Sequence, residues 1–221
     1  ITCRDWSSDV CSSDLERPAL VTAGWEVFNT SVCRGEGGMY VMAVEIGKPR
    51  EEAGVPFTMR FALSADLLDW QLTPSDRVYA REKYTACPAL RWLEPWYYMI
   101  YLEAYTASPS GPEYKTHVVR SRDLVNWDAS PFNPILAHSE DDKRIASPAI
   151  GAAERDRIRG IVNVNNSDVD LCEWQGKTVI FYSWGTQKGD EFLARAEYDG
   201  PLRELLEGWF PARAANPTRA A

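Results

Sequence analysis

Short runs of apolar and aromatic residues, separated by turn residues, recur along most of this chain. In its central part they read CPALRW, WYYMIYLE and YKTHVVR, with a weaker run at NPILA. Runs of this length that are rich in Tyr, Trp, Val, Ile and Met are typical of β-strands. The pattern therefore predicts strands at residues 87–92, 96–103, 114–120 and 133–137. Two other segments, residues 152–159 and 202–210, predict short helices.

An internal repeat organises these strands. The segment FALSADLLDW ends at Trp70 and HVVRSRDLVNW ends at Trp127, so an SxDLxxW pattern recurs after 57 residues. We expect the Ser and Asp side chains to bind the turn backbone and the Trp to pack between repeats. Upstream, residues 28–45 align with residues 86–103 at an offset of 58, which sets Glu45 on Glu103.

A third copy of the repeat is partial. It sets Asp168 on Cys87 and Tyr182 on Tyr101, and a third strand follows at residues 192–200. Four short strands in each repeat of about this length are the signature of a β-propeller blade. A two-sheet sandwich is the alternative, but it does not explain the repetition.

The predicted fold class is therefore all-β, a partial β-propeller of about three blades with a short helical insertion. We assign residues 16–211 to this domain and residues 212–221 to a disordered tail. Because a closed propeller needs at least four blades, we expect blades to be missing at the front. The present stretch alone would then be inactive.

The first fifteen residues are excluded from this domain. Residues 5–15 read DWSSDVCSSDL, which equals a translated sequencing adapter, and we interpret residues 1–15 as non-native. A natural Ser- and Asp-rich tail is the alternative. Without this segment three widely spaced cysteines remain, with no disulfide framework, which slightly favours a cytoplasmic location.

Composition and charge exclude several partners. The formal net charge is −8 and no basic stripe occurs, so nucleic acid is not expected as a partner. No apolar run approaches the roughly 18 residues of a membrane span, and no membrane is expected. No metal-ligand spacing and no phosphate-binding Gly-rich loop occur, so the sequence predicts no metal and no cofactor.

The SxDLxxW turns, the strand openings in which xPxL is followed by YY, and the repeat length resemble the five-bladed β-propeller superfamily. That superfamily contains glycoside hydrolase families 43, 32, 62, 68 and 117 and the family 130 phosphorylases. The resemblance implies an active-site funnel on the propeller axis, lined by the starts of the innermost strands. It also implies acid/base catalysis by carboxyl groups from different blades.

Carried onto this sequence, the resemblance selects a set of candidate site residues. We predict Asp168 and Glu103 as catalytic carboxyl groups. The predicted substrate-binding residues are Asn29, Glu45, Cys87, Asp170, Trp184 and Glu191. Each also has a structural alternative: hydrogen bonding at turns and strand ends, a buried thiol for Cys87, and packing between blades for Trp184.

The leading functional hypothesis is a glycoside hydrolase with a carbohydrate substrate. A glycoside phosphorylase is one alternative and would need a basic phosphate pocket, for which Arg34, Arg91 and Arg144 are candidates. A non-catalytic, carbohydrate-binding propeller is the other alternative. The sugar, the linkage and the stereochemical outcome stay open at this stage.

Overall fold

The computed structural model describes residues 18–20, 22–55, 57–105 and 112–211. The adapter-like segment and the predicted tail lie outside the described residues. The described chain is built from β-strands arranged as three successive antiparallel units, with short helices between and after them.

The three units correspond to the predicted blades. Blade I contains β1 (Glu26–Arg34), β2 (Tyr40–Lys48), β3 (Thr58–Ser64), β4 (Gln71–Leu72) and β5 (Val78–Tyr79). Blade II contains β6 (Thr85–Leu93), β7 (Trp96–Tyr105), β8 (Glu113–Ser121) and β9 (Trp127–Ala129). Blade III contains β10 (Asn165–Trp174), β11 (Lys177–Gly185) and β12 (Glu191–Tyr198). The helices are α1 (Arg50–Ala53), α2 (Ala152–Gly160) and α3 (Leu202–Gly208), of which the last two confirm the predicted helices.

The prediction for the fourth strand of blade II is wrong. The fourth strand is β9, and residues 133–137 contribute only an isolated bridge between Leu136 and Thr116. The Asn133 side chain takes the place of a strand partner, because its amide both accepts from the Val118 N–H and donates to the Val118 carbonyl, each at 2.8 Å. Prolines at 131 and 134 lack the N–H groups that a longer strand would need.

The repeat offset of 58 residues is wrong for the second strands. Tyr40 pairs with Ser64 and Tyr97 pairs with Ser121, so β2 and β7 correspond at an offset of 57. A slip of one residue moves a side chain to the other face of a sheet. Glu45 consequently faces blade II, whereas Glu103 faces blade I, and the two are not equivalent.

The core lies between the blades. Blades I and II enclose a cluster that includes Phe61, Leu90 and Met99, each fully buried. Blades II and III enclose a second cluster, which α3 closes with Leu206 and which also contains Phe210. Large apolar side chains therefore fix each blade against its neighbour, which is the packing expected of a propeller.

The predicted side-chain to backbone bonds form in both SxDLxxW turns, whereas the predicted packing of the Trp between blades occurs in the second copy, since Trp70 packs on blade I itself. In the second copy, the Ser121 hydroxyl accepts from the N–H groups of Asp123 and Leu124 at 3.2 and 2.9 Å. The Asp123 carboxylate accepts from the N–H groups of Val125 and Asn126 at 2.9 and 2.7 Å. Trp127 then stacks on Phe61 of blade I, with ring centroids 5.5 Å apart. The turn thus places a large ring between two blades.

Candidate functional site

The inner strands of the three blades share an irregularity. The ladders β1–β2, β6–β7 and β10–β11 each lose register near the start of the inner strand, between residues 27 and 30, 86 and 89, and 167 and 170. Cys87 and Asp168 have left-handed backbone angles there, each with φ of 52°. A bulge re-aims a side chain, and bulges are common beside active sites. Both residues are therefore turned out of the regular pleat.

The three inner-strand starts meet at one cleft of about 180 Å³. Asn29 of blade I, Cys87 of blade II and Asp168 of blade III all line it. Their immediate strand neighbours complete the lining, among them Ser31 and Asp170. Residues far apart in the sequence are thus brought around a common centre, which is the arrangement that the resemblance implies.

Glu45 joins this group from the neighbouring strand. Its carboxylate accepts from the Asn29 side-chain amide at 3.0 Å and from the backbone N–H of Cys87 at 2.7 Å. Glu45 is buried, with 3% of its surface exposed. Burial raises the pKa of the Glu45 carboxyl, the two hydrogen bonds oppose that shift, and the nearby Asp168 adds to it. The site therefore contains a carboxyl group that holds its proton more tightly than a free Glu.

Asp168 has a different environment. It is exposed, and its carboxylate accepts from the buried Ser167 hydroxyl at 2.6 Å. The Asn165 amide in turn donates to the Ser167 hydroxyl at 2.9 Å. A short chain of side chains on β10 therefore orients Asp168 toward the cleft.

Cys87 is a partly buried, neutral group in the same cleft. The Asn29 amide lies 3.7 Å from its sulfur atom. Burial, followed by the adjacent Asp168, raises the pKa of the Cys87 thiol. A thiol that resists deprotonation is a poor nucleophile, so the structural interpretation of Cys87 is favoured over nucleophilic catalysis.

Asp170 lies at the edge of the cleft and is engaged by Arg91. The Arg91 guanidinium forms an ion pair with the Asp170 carboxylate and donates to the Leu171 carbonyl at 2.8 Å. Similarly, the Ser31 hydroxyl of blade I accepts from the Leu90 N–H of blade II at 2.9 Å. Side chains therefore connect the inner strands where their backbones do not pair. Sequence reasoning missed Ser31, which carries no distinctive pattern.

Glu103 belongs to a separate cluster. It forms an ion pair with Lys83 at 2.7 Å and accepts from the Tyr101 hydroxyl at 3.2 Å. The His117 ring lies 3.8 Å from the same oxygen atom. None of these partners lines the cleft, so the structure does not bring Glu103 together with Asp168.

Trp184 and Glu191 also lie apart from the cleft. Trp184 is buried, stacks on Phe192 with centroids 4.8 Å apart, and lines a different pocket together with Tyr182. Glu191 accepts from the N–H of Gln187 and from the Asn165 amide, and so fastens the loop before β12. Both residues have clear structural roles.

Within the described part of the chain, no group of three or more His, Cys, Asp or Glu side chains could hold a metal ion. A helix both long enough and apolar enough to cross a membrane is likewise absent from those residues.

Comparison with known proteins gives structural relatives only. No protein-family model and no curated protein matches the chain. A mutant family 32 β-fructofuranosidase from Bombyx mori, in complex with sucrose, matches 77% of this chain with a TM-score of 0.53 at 13% identity. A thermostable family 43 glycoside hydrolase matches 82% with a TM-score of 0.54 at 16% identity. Another glycoside hydrolase matches 85% with a TM-score of 0.58 at 19% identity.

The chain spans only part of these proteins. It covers 32% of the β-fructofuranosidase, 58% of the family 43 enzyme and 52% of the third structure. A likeness at this identity concerns the fold and leaves the activity open. The chain has the β-propeller fold of these glycoside hydrolases.

Proposed function

We propose that the protein acts on a carbohydrate as a glycoside hydrolase, with its site at the cleft between the three inner strands. The observation that carries the proposal is a pair of unlike carboxyl groups at this cleft, one in its lining and one buried against two of the lining residues. Glu45 is buried beside Asn29 and Cys87, and Asp168 is exposed on the cleft wall. Glycoside hydrolysis needs one carboxyl group that donates a proton and a second that is ionised.

The environments of the two groups suggest their roles. The raised pKa of Glu45 suits a proton donor, and the exposed Asp168 suits a base or an acid-tuning group. Glu103, the other carboxyl group that the sequence predicts as catalytic, forms an ion pair with Lys83 away from the cleft, which favours a structural role. Glu45 is the better partner for Asp168.

A non-catalytic, carbohydrate-binding propeller is the second candidate function. Of the three inner-strand starts, Asp168 alone carries a carboxyl group, whereas the other two carry an amide and a neutral thiol. Such a site can form hydrogen bonds with sugar hydroxyls without cleaving a bond. The phosphorylase alternative gains no comparable support, because Arg34 and Arg144 do not line the cleft and Arg91 is already engaged by Asp170 and Leu171.

Turnover assays separate these functions. The full-length gene product would be incubated with sucrose, aryl glycosides and oligosaccharides, with and without phosphate. We expect hydrolysis that does not need phosphate, and a fall of at least about a hundredfold in Asp168→Asn and Glu45→Gln. Asp199→Asn, at a highly exposed carboxylate outside the site, is the control. Full activity in both site variants would refute the assignment, and sugar binding without turnover would favour the second candidate.

A further inference from the structure

Four aromatic rings form a continuous row beside the cleft. Phe28 packs edge-on against Phe57 with centroids 4.7 Å apart, and Phe57 packs against Tyr84 at 5.2 Å. Tyr84 continues to Tyr114 at 6.2 Å. The row crosses from blade I to blade II and reaches the point where blade III begins, because Tyr114 pairs with Asn165.

The row lies at the same end of the strands as the candidate site. Its members stand at or just before the starts of β1, β3, β6 and β8, strands that run in one direction within their blades. Phe28 immediately precedes Asn29, and Tyr84 comes three residues before Cys87. Burial and the neighbouring Cys87 and Glu45 raise the pKa of the Tyr84 hydroxyl. One end and the middle of the row therefore adjoin the cleft.

Backbone hydrogen bonds hold two of the rings in place. The Phe57 carbonyl accepts from the Thr85 N–H at 2.8 Å, across the junction between blades I and II. The Tyr114 N–H donates to the Val164 carbonyl at 2.9 Å, across the next junction. The rings are nevertheless open to solvent: Phe28 is 48% exposed and the other three are partly exposed.

We propose that this aromatic row, made of Phe28, Phe57, Tyr84 and Tyr114, is a binding platform for a chain of sugar units that leads into the cleft. The proposal rests on the proposed carbohydrate ligand and specifies its class. Sugar rings present apolar C–H faces that pack on aromatic rings, while Tyr hydroxyls can bond sugar hydroxyls. Adjacent ring planes meet at 65–75°, so faces and edges alternate along the row. The row is longer than one sugar ring and therefore fits an oligosaccharide rather than a monosaccharide.

Calorimetry with sugars of defined length tests the platform. Gluco-, xylo-, arabino- and fructo-oligosaccharides of one to six units would be titrated into the protein and into Phe28→Ala and Phe28→Leu. For one of these series we expect affinity to rise with chain length and the longest chains to bind up to about tenfold more weakly in both variants. Phe28→Leu keeps an apolar side chain, so a matching loss there with an unchanged melting temperature excludes misfolding. Phe132→Ala, at a 56% exposed ring outside the row, is the control and should bind normally.

Different results would overturn different conclusions. Affinity that is independent of chain length, no binding of any series, or the same affinity in Phe28→Ala and Phe132→Ala would overturn the platform. Length-dependent binding without any hydrolysis would support the platform and refute the hydrolase proposal. Hydrolysis of short and long chains at equal rates would support the hydrolase proposal and refute the binding platform.

Discussion

At the scale of single residues, the site depends on backbone positions that most side chains avoid. Left-handed angles cost roughly 1–2 kcal/mol for a residue other than Gly, and both Cys87 and Asp168 adopt them. In return the Cys87 N–H points at Glu45 and the Asp168 side chain reaches the cleft. Strain of this kind clusters at functional sites.

The acid–base behaviour of Glu45 gives the first prediction. Its pKa in the folded protein is raised above 4.5, so protonation stabilises the folded state relative to the unfolded one. That contribution is complete below the unfolded pKa and is lost as the pH rises through the folded pKa. Glu45→Gln cannot lose a proton, so the melting temperature of the original protein should fall relative to the variant as the pH rises.

Melting curves from about pH 4 upward would measure this difference. Asp199→Asn is the matched control, because its carboxylate is far more exposed. A melting-temperature difference between Glu45→Gln and the original protein that stays constant with pH would contradict the assignment of a shifted carboxyl group.

At the scale of elements, the segment between blades II and III is anchored by one carboxylate. Asp142 accepts from Asn163 at 2.8 Å, from Tyr182 at 2.9 Å and from Asn166 at 3.2 Å. It also accepts from the Ser139 N–H at 2.8 Å. These bonds fix the segment that carries α2 against the strands of blade III.

Removal of this carboxylate should loosen the segment. In Asp142→Ala the buried amides of Asn163 and Asn166 lose their partner, and each unsatisfied group costs about 1–3 kcal/mol. We expect a clear fall in the free energy of unfolding and faster proteolysis within residues 138–160. Chemical denaturation and limited proteolysis measure both effects. Asp141→Ala is the control, and equal behaviour of the two variants would disprove the anchoring role.

The elements also show what the sequence could and could not predict. Repetition of the SxDLxxW turns fixed the blade boundaries, because the Ser and Asp side chains act within a few residues of their own position. Pairing between strands depends on turn length and bulges, so the offset that joined Glu45 to Glu103 failed. A cleft at the inner-strand starts was implied by the family resemblance, whereas the Ser167 and Arg91 contacts need three-dimensional placement.

At the scale of the whole molecule, the blades are joined in two ways, by apolar packing between the sheets and by polar side chains near the cleft. Large rings pack between the sheets, and Arg91 and Ser31 connect the inner strands near the cleft. The Arg91 side chain is three-quarters buried, whereas that of Asp170 is 70% exposed. An ion pair with one exposed partner contributes little by itself, but the bond to the Leu171 carbonyl adds to it.

Substitutions of Arg91 and of Asp170 should therefore differ in their effect on the free energy of unfolding. Arg91→Met removes both contacts to blade III and should lower the free energy of unfolding by about 1–2 kcal/mol. Asp170→Asn should change it by less than about 1 kcal/mol. Urea unfolding of the two variants measures the difference, and a larger loss in Asp170→Asn would show that the ion pair dominates.

The hydrogen bond from residue 87 to Glu45 comes from the main chain, and this has a consequence for engineering. Residues that tolerate the left-handed backbone at position 87, such as Gly, Asn or Asp, can supply that donor, so the side chain there can be exchanged without removing the support of Glu45. Evolution or design can thus vary the side chain at position 87 while the Glu45 carboxyl group keeps its hydrogen bond from the main chain.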